Sequence, residues 1–243
     1  RDIYADVSPS IAHVDTPSRS GSAVLVEHGY VLTAAHIVWP YEHVRVVFPN
    51  GYENDHMPVV AWDLLRDIAV LGPVDDDAEL TALPLSDGSE LPVGSQVYLI
   101  GYPAEFEEYP QPAMGRGLLS RVREWESTGL TMYQVDADVS GGQSGGAMIS
   151  ERCELVGLTN YRFTDSNNPM VTSSADIADT LTRLFLSASD TLADRRPLAQ
   201  EAVLEYVSTL QRIFDNAYFL ILPEPGDGIE LSVTGNGHPS LVL

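Results

Sequence analysis

Ser140-Gly141-Gly142-Gln143-Ser144-Gly145-Gly146 is the segment whose residue types point most narrowly to a chemistry. Glycines on both sides of a serine allow positive-φ or strained backbone, so that the N–H groups of Gly142 and Ser144 can converge on one point. Two such donors make an oxyanion hole, and losing one typically costs about 3–4 kcal/mol of transition-state stabilisation. Ser144 would be the nucleophile beside it. A flexible Gly/Ser loop or a phosphate cradle shares the composition, but no Gly-Lys-Ser/Thr step and no helical pattern follows. Upstream, Arg66-Asp67-Ile68-Ala69-Val70-Leu71 puts a carboxylate at the head of an apolar run. There it needs a partner unless it is a turn or strand-edge residue. Thr33-Ala34-Ala35-His36 offers one: an imidazole at the end of an apolar strand, with small residues before it. A His N–H held by Asp67 would fix the tautomer that leaves the other ring nitrogen free as a base. His13, His28, His43, His56 and His238 have no comparable setting.

Gly142-Gln143-Ser144-Gly145-Gly146 also fits G-x-S-x-G, the nucleophile elbow of α/β-hydrolases, which would make the chain an esterase. That elbow leads directly into a helix, whereas Ala147-Met148-Ile149 and the turn at Glu151-Arg152 predict a hairpin here. Its triad order is Ser, acid, His, and the only histidine after Ser144 is His238. In this chain His36 and Asp67 both precede the serine, the order of the chymotrypsin-type triad.

Composition narrows the rest. There are 35 acidic residues against 13 basic ones, all arginine, for a net charge of −22. Nucleic-acid binding needs a cationic footprint, and docking on anionic membranes does too, so both are excluded. Such acidity serves solubility, in a salty or extracellular setting. With Cys153 as the only cysteine, no intrachain disulfide can form, which excludes the disulfide-stapled type of secreted enzyme but not secretion from a bacterium. No apolar run approaches the about 20 residues that span a bilayer. The opening Arg1-Asp2-Ile3-Tyr4 shows no signal peptide. No metal or cofactor motif is present.

The elements that must position these residues are mostly short strands. Ser22–Val26, Tyr30–Thr33, His43–Phe48, Val59–Trp62 and Asp67–Leu71 form one set, punctuated by Gly and Pro turns. The acidic stretch Asp75–Glu79 separates them from Gln96–Gly101, Gly117–Val122, Leu130–Val135, Gly145–Ile149, Leu155–Asn160 and Met170–Ser173. The predicted fold is all-β: two six-stranded antiparallel barrels, over about 1–80 and 90–174, meeting in a cleft with His36 and Asp67 on the first and Ser144 on the second. The period then becomes helical. After an N-cap at Ser173-Ser174, Ile177, Leu181, Leu184 and Phe185 share a face, giving a closing helix to residue 187. Residues 188–243 form an accessory segment. A helix runs there from Pro197 to about Tyr218 with Val203, Val207, Leu210 and Phe214 on one face, which needs burial against the barrels or a partner such as a second copy. The alternating Ile229–Val233 then predicts a short β tail.

Residues 8–178 resemble the protease domain of the HtrA/Deg family within the chymotrypsin-like peptidases. The resemblance rests on Ser8–Ala12 as opening strand, Gly21–Thr33 as first hairpin, Ala34-Ala35-His36-Ile37-Val38, Asp67-Ile68-Ala69-Val70-Leu71, Val93-Gly94 through Pro103, and Asp136-Ala137 with Gly142–Gly146. It implies a serine endopeptidase that hydrolyses polypeptides through an acyl-enzyme, with Ser144 as nucleophile, His36 as general base, Asp67 as its orienting carboxylate, and Gly142 and Ser144 as oxyanion donors. Thr159 and Asn160 would meet the substrate backbone as an added strand. Val139 and Leu158 stand where the family lines its specificity pocket, and Asp138 stands where trypsin has its basic-selecting aspartate. Val139 and Leu158 suggest an apolar residue before the scissile bond, and Asp138, six residues before Ser144, offers a basic alternative. The chain departs from the family at Gln143, where asparagine is usual, and shows no PDZ pattern after the closing helix. The resemblance implies an extracellular or periplasmic location. The other class of function is a catalytically silent protease fold that binds a partner; intact His36, Asp67 and Ser144 argue against it.

Overall fold

The computed structural model describes residues 2–75, 78–87, 91–104, 111–125, 130–137, 142–162, 169–186, 218–221 and 230–233. Asp138, Val139 and residues 197–217 of the expected helix lie outside them, while Tyr218, expected at its end, opens a strand instead. The chain divides into two compact units, Arg1–Ser189 and Asp190–Leu243.

The first unit contains two closed six-stranded antiparallel barrels, as predicted. Barrel one is built from β1 (Ile11–Asp15), β2 (Ser20–Leu25), β3 (Val31–Thr33), β4 (His43–Val47), β5 (Glu53–Asp63) and β6 (Ile68–Leu71), in the order β1-β2-β3-β6-β5-β4. Barrel two comprises β7 (Gln96–Gly101), β8 (Ala113–Trp125), β9 (Leu130–Asp136), β10 (Ala147–Ser150), β11 (Leu155–Arg162) and β12 (Pro169–Ser173). Closure leaves no exposed sheet edge in either barrel.

Strand alternation here sorts apolar residues between two cores rather than between core and water. Along β2 and β6, Ala23, Leu25, Ala69 and Leu71 fill barrel one, while Val24, Ile68 and Val70 turn outward into a second cluster. Along β10, Met148 fills barrel two, and its neighbours Ala147 and Ile149 join the same outward cluster. That cluster, drawn from both barrels, is the seal between them. Strands buried on both faces read as continuous apolar runs, which is why Ile68-Ala69-Val70-Leu71 shows no polar alternation.

Three details differ from the sequence expectation. Ser8–Ser10 is a 3₁₀ turn behind a short helix α1 (Ile3–Val7), and the opening strand begins only at Ile11. Pro9 favours the turn, since its fixed φ suits a first helical position. His36 does not end a strand; it lies in the single helical turn α2 (Ala35–Val38) that follows β3. β5 and β8 are longer than their apolar centres, because their outer residues include solvent-facing polar positions that carry no hydrophobic signal.

The closing helix α3 (Ser174–Leu186) begins where expected. The Ser173 hydroxyl accepts from the Asp176 N–H at 3.2 Å, the bond of an N-cap, and Ile177 is fully buried in the inter-barrel cluster. In the second unit, β13 (Tyr218–Ile221) pairs antiparallel with β14 (Glu230–Val233), so the predicted β tail is one strand of a two-stranded sheet. No helix among the described residues is long and apolar enough to cross a membrane.

Candidate active site

His36 and Asp67 are brought together twice. The His36 ring Nδ1 lies 2.7 Å from Asp67 Oδ2, and the His36 backbone N–H donates to Asp67 Oδ1 at 2.8 Å. Both carboxylate oxygens are thus spent on one residue, which fixes the ring and leaves Nε2 as the free nitrogen. Asp67 is 4% exposed and sits in the left-handed region at φ +54°, at the end of the turn joining β5 to β6. Its own carbonyl accepts from the Ala35 N–H at 3.2 Å, tying that turn to α2. The His36 side chain keeps 33% of its surface open.

The electrostatics of the imidazole follow from this packing. Burial pushes the His36 pKa down, but the charge of Asp67 and its hydrogen bond outweigh burial and leave it raised above the ordinary 6.5. Arg19, whose guanidinium donates to the His36 carbonyl, opposes the rise through its charge.

Ser144 stands in the connection from β9 to β10, half-buried, and the chain runs on into a β10–β11 hairpin whose register pairs Ala147 with Leu158. No helix follows it, so the α/β-hydrolase elbow is ruled out along with its fold. Gly142 has φ +86°, and a Cβ there would lie 2.5 Å from the Ala104 nitrogen and 2.7 Å from the Tyr102 carbonyl oxygen. Gly145 has φ +80°, and a Cβ there would collide with the Ser22 carbonyl and the Thr33 hydroxyl. Only glycine meets both the conformation and the space. The Ser144 hydroxyl donates to the Asn160 carbonyl at 2.8 Å.

Ser22, which no motif singled out, fastens this loop to barrel one. Its N–H donates to the Ser144 carbonyl at 2.8 Å and its hydroxyl to the Gly142 carbonyl at 2.9 Å. The same hydroxyl accepts from the Tyr102 N–H at 2.7 Å, and the Ser22 carbonyl accepts from the Thr33 hydroxyl at 2.7 Å. Nothing in the sequence sets Ser22 apart; only the fold buries its hydroxyl fully, and a buried hydroxyl must find partners.

The substrate-binding expectations fare unevenly. Thr159 is committed to the loop that carries Ser144: its carbonyl accepts from the Gly145 N–H at 2.6 Å and its N–H donates to the Gly146 carbonyl at 2.8 Å. Of the pair expected to meet a substrate strand, it is the Asn160 carbonyl that faces Ser144. Leu158, expected on a pocket wall, has no exposed surface and packs in the inter-barrel cluster, because a register shift in the β10–β11 ladder interrupts the alternation and puts both Leu155 and Leu158 on that side. Asp138 and Val139 lie outside the described residues.

Two antiparallel barrels, with a His–Asp pair on one and a glycine-flanked serine on the other, define a chymotrypsin-like architecture. The model of the trypsin-like peptidase domain matches residues 21–158, more than half the chain, and the chain belongs to that family. It is similar to serine protease HTRA4 from Homo sapiens, 29% identical over 181 residues covering 67% of this chain and 37% of that protein. It is similar also to a probable periplasmic serine endoprotease DegP-like from Halomonas elongata, 30% identical over 179 residues, which are 70% of this chain and 36% of that one. The chain therefore spans little more than a third of the length of these relatives. Among solved structures, Rv3671c from M. tuberculosis in an inactive form superposes with a TM-score of 0.66 at 19% identity, covering 77% of this chain and 92% of that one. The serine endoprotease from Yersinia pestis gives 0.64 at 24% identity, covering 75% and 65%. These structural likenesses establish the fold.

Proposed function

We propose that the protein is a serine endopeptidase acting on polypeptides. The observation that carries this reading is the pairing of His36 Nδ1 with Asp67 Oδ2 at 2.7 Å, in the barrel facing a serine whose flanking glycines adopt positive φ. In the reaction, Ser144 Oγ attacks the scissile carbonyl carbon while its proton passes to His36 Nε2. The N–H groups of Gly142 and Ser144 receive the oxyanion. The C–N bond then breaks, the amine departs with the proton from His36, and an acyl-enzyme remains on Ser144. Water, deprotonated by His36, releases the acid and restores the serine. Asp67 holds the imidazole throughout and stabilises its charged form.

The resting hydroxyl points to the Asn160 carbonyl. A substrate N–H that takes this carbonyl frees the hydroxyl to turn toward His36 Nε2, so productive binding and alignment of the nucleophile coincide. Val139 carries the specificity pocket in this proposal, with an apolar residue preferred before the scissile bond, and Asp138 keeps a basic residue as the alternative. Residues 1–187 form the peptidase domain and residues 188–243 an accessory segment. Of an extracellular or periplasmic location, the periplasmic one is supported by the names of the DegP-type relatives, and a single cysteine is compatible with it.

A fluorophosphonate probe tests the reading. It should label the wild-type chain and leave Ser144→Ala unlabelled, and a peptide-library digest should give cleavage products only with the wild type. Equal labelling of both would remove Ser144 from the mechanism, and an unlabelled wild type would favour the silent binding role.

A further inference from the structure

Arg66 stands directly before Asp67, in the turn between β5 and β6. Its side chain is 11% exposed and meets three carboxylates: Nη1 lies 3.1 Å from Asp63 Oδ2, Nε 3.0 Å from Asp176 Oδ1, and Nη2 3.0 Å from Asp179 Oδ2. Asp63 ends β5 in barrel one, and the other two stand in α3. The cluster is tied on every side. Asp63 Oδ2 also accepts from the Thr180 hydroxyl at 3.1 Å, and Asp63 Oδ1 from the N–H groups of Leu65 and Arg66 at 3.1 Å each. Asp176 Oδ2 accepts from the Thr131 N–H of β9 at 2.7 Å and from the Ser173 hydroxyl at 3.1 Å.

The backbone of Arg66 is held from the same side. Its carbonyl accepts from the Thr172 hydroxyl of β12 at 2.9 Å and from the Asn160 side-chain amide of β11 at 3.3 Å, and that amide also donates to the Thr172 hydroxyl. Asn160 is the residue whose carbonyl holds the Ser144 hydroxyl. A path of direct bonds therefore crosses between the barrels, from Asp67 through its neighbour Arg66 to Asn160 and Ser144. A buried ion cluster adds little stability over apolar packing of the same shape, because desolvation offsets its Coulombic gain. What it supplies is a fixed geometry, since a planar guanidinium is satisfied by carboxylates only in particular directions.

Resting on the serine-endopeptidase reading, we infer that Arg66 is a positioning residue: its ion cluster with Asp63 and Asp176, and the bonds its carbonyl takes from Asn160 and Thr172, set the Asp67 turn against the nucleophile. The first turns of α3 thus govern the rate of the chemical step without touching substrate.

The test uses the full chain and a fluorophosphonate whose reaction is resolved into binding (KI) and bond formation at Ser144 (kinact). Arg66→Lys keeps a cation among the carboxylates but loses the fork; kinact should fall about tenfold or more, as sub-ångström misplacement of reacting groups does, with KI held within about threefold. Should that variant not fold, Thr172→Val decides, since it removes the hydroxyl's bonds to the Arg66 carbonyl and from the Asn160 amide and leaves the ion cluster whole; its kinact should fall about threefold, again with KI steady. The inference is overturned if the deciding variant keeps kinact within about twofold of wild type, or if kinact, KI and melting temperature all deteriorate together, which is the mark of general loosening. A wild-type chain that fails to react would instead sink the endopeptidase reading itself.

Discussion

Barrel one runs β1-β2-β3-β6-β5-β4, and barrel two, followed in the same sense, runs β7-β8-β9-β12-β11-β10. The topology is the same, and each barrel carries one residue of the proposed triad in the connection after its third strand: His36 after β3, Ser144 after β9. The local devices differ. After β3 the chain makes one helical turn of ordinary residues, and His36 is aimed by a carboxylate on the neighbouring turn. After β9 the chain passes through glycines at positive φ, and the segment is held by backbone groups and by Ser22 of the other barrel. A base must be oriented and charged on demand, which a side-chain partner does well. An oxyanion site needs main-chain N–H groups converging, which only an unusual backbone supplies. One barrel topology serves both because the chemistry resides in connections rather than in the ladder.

Breaking the comparison outright takes one side chain from either barrel. Ser144→Ala and His36→Ala should each lower peptide hydrolysis by about 10⁶-fold, and the double variant should fall little further, because the two act as a unit. Thermal melts close to wild type would confirm that chemistry and not folding was lost. A double variant far slower than either single one would show the barrels acting independently.

Asp67→Asn sharpens the point about barrel one. The ring remains held, but in the wrong tautomer, and the rate should drop by about 10⁴. A tenfold loss or less in a steady-state assay would mean that the His36 backbone contact alone orients the ring.

Ser22→Ala is the matching change for barrel two, aimed at the support of the glycine loop. It leaves the Tyr102 N–H and the Gly142 carbonyl without their partner in a buried site, costing about 1–3 kcal/mol of stability by urea denaturation. Labelling of Ser144 by a fluorophosphonate should slow in the same variant. Unchanged labelling would show that the glycines hold the oxyanion site unaided.

The smallest effect concerns proton affinity. His36 must be neutral to act as a base, and its pKa lies above 6.5, so kcat/KM should fall as pH drops through that higher value. Arg19 lowers the His36 pKa, so Arg19→Gln should raise it and move the acid limb to higher pH. A limb that moves to lower pH, or stays in place, would remove Arg19 from the electrostatics of the base.

Much of the site was legible in the sequence because its parts are local. The glycines around Ser144 announce a backbone that other residues cannot adopt, and an aspartate leading into Ile68-Ala69-Val70-Leu71 announces a carboxylate that needs a partner. Their order along the chain separates the chymotrypsin arrangement from that of the α/β-hydrolase elbow. Turn residues and apolar runs likewise marked ten of the twelve barrel strands within a few residues on the strength of period and punctuation alone, with β1 hidden behind Pro9 and β5 marked only at its C-terminal end.

What tertiary structure alone decided is the set of residues that act across distance. Ser22 looks like any small residue of a buried strand until Gly142 and Tyr102 close on its hydroxyl. Arg66 looks like a surface arginine until α3 brings Asp176 and Asp179 against it from more than a hundred positions away. Leu158 and Thr159 looked like pocket and substrate contacts, but which face of β11 meets a ligand depends on how the second barrel seats on the first. A hydrophobic pattern tells a strand that both its faces are buried; it carries no term for what each face is buried against, because burial is non-directional while hydrogen-bond and ion-pair geometry is not.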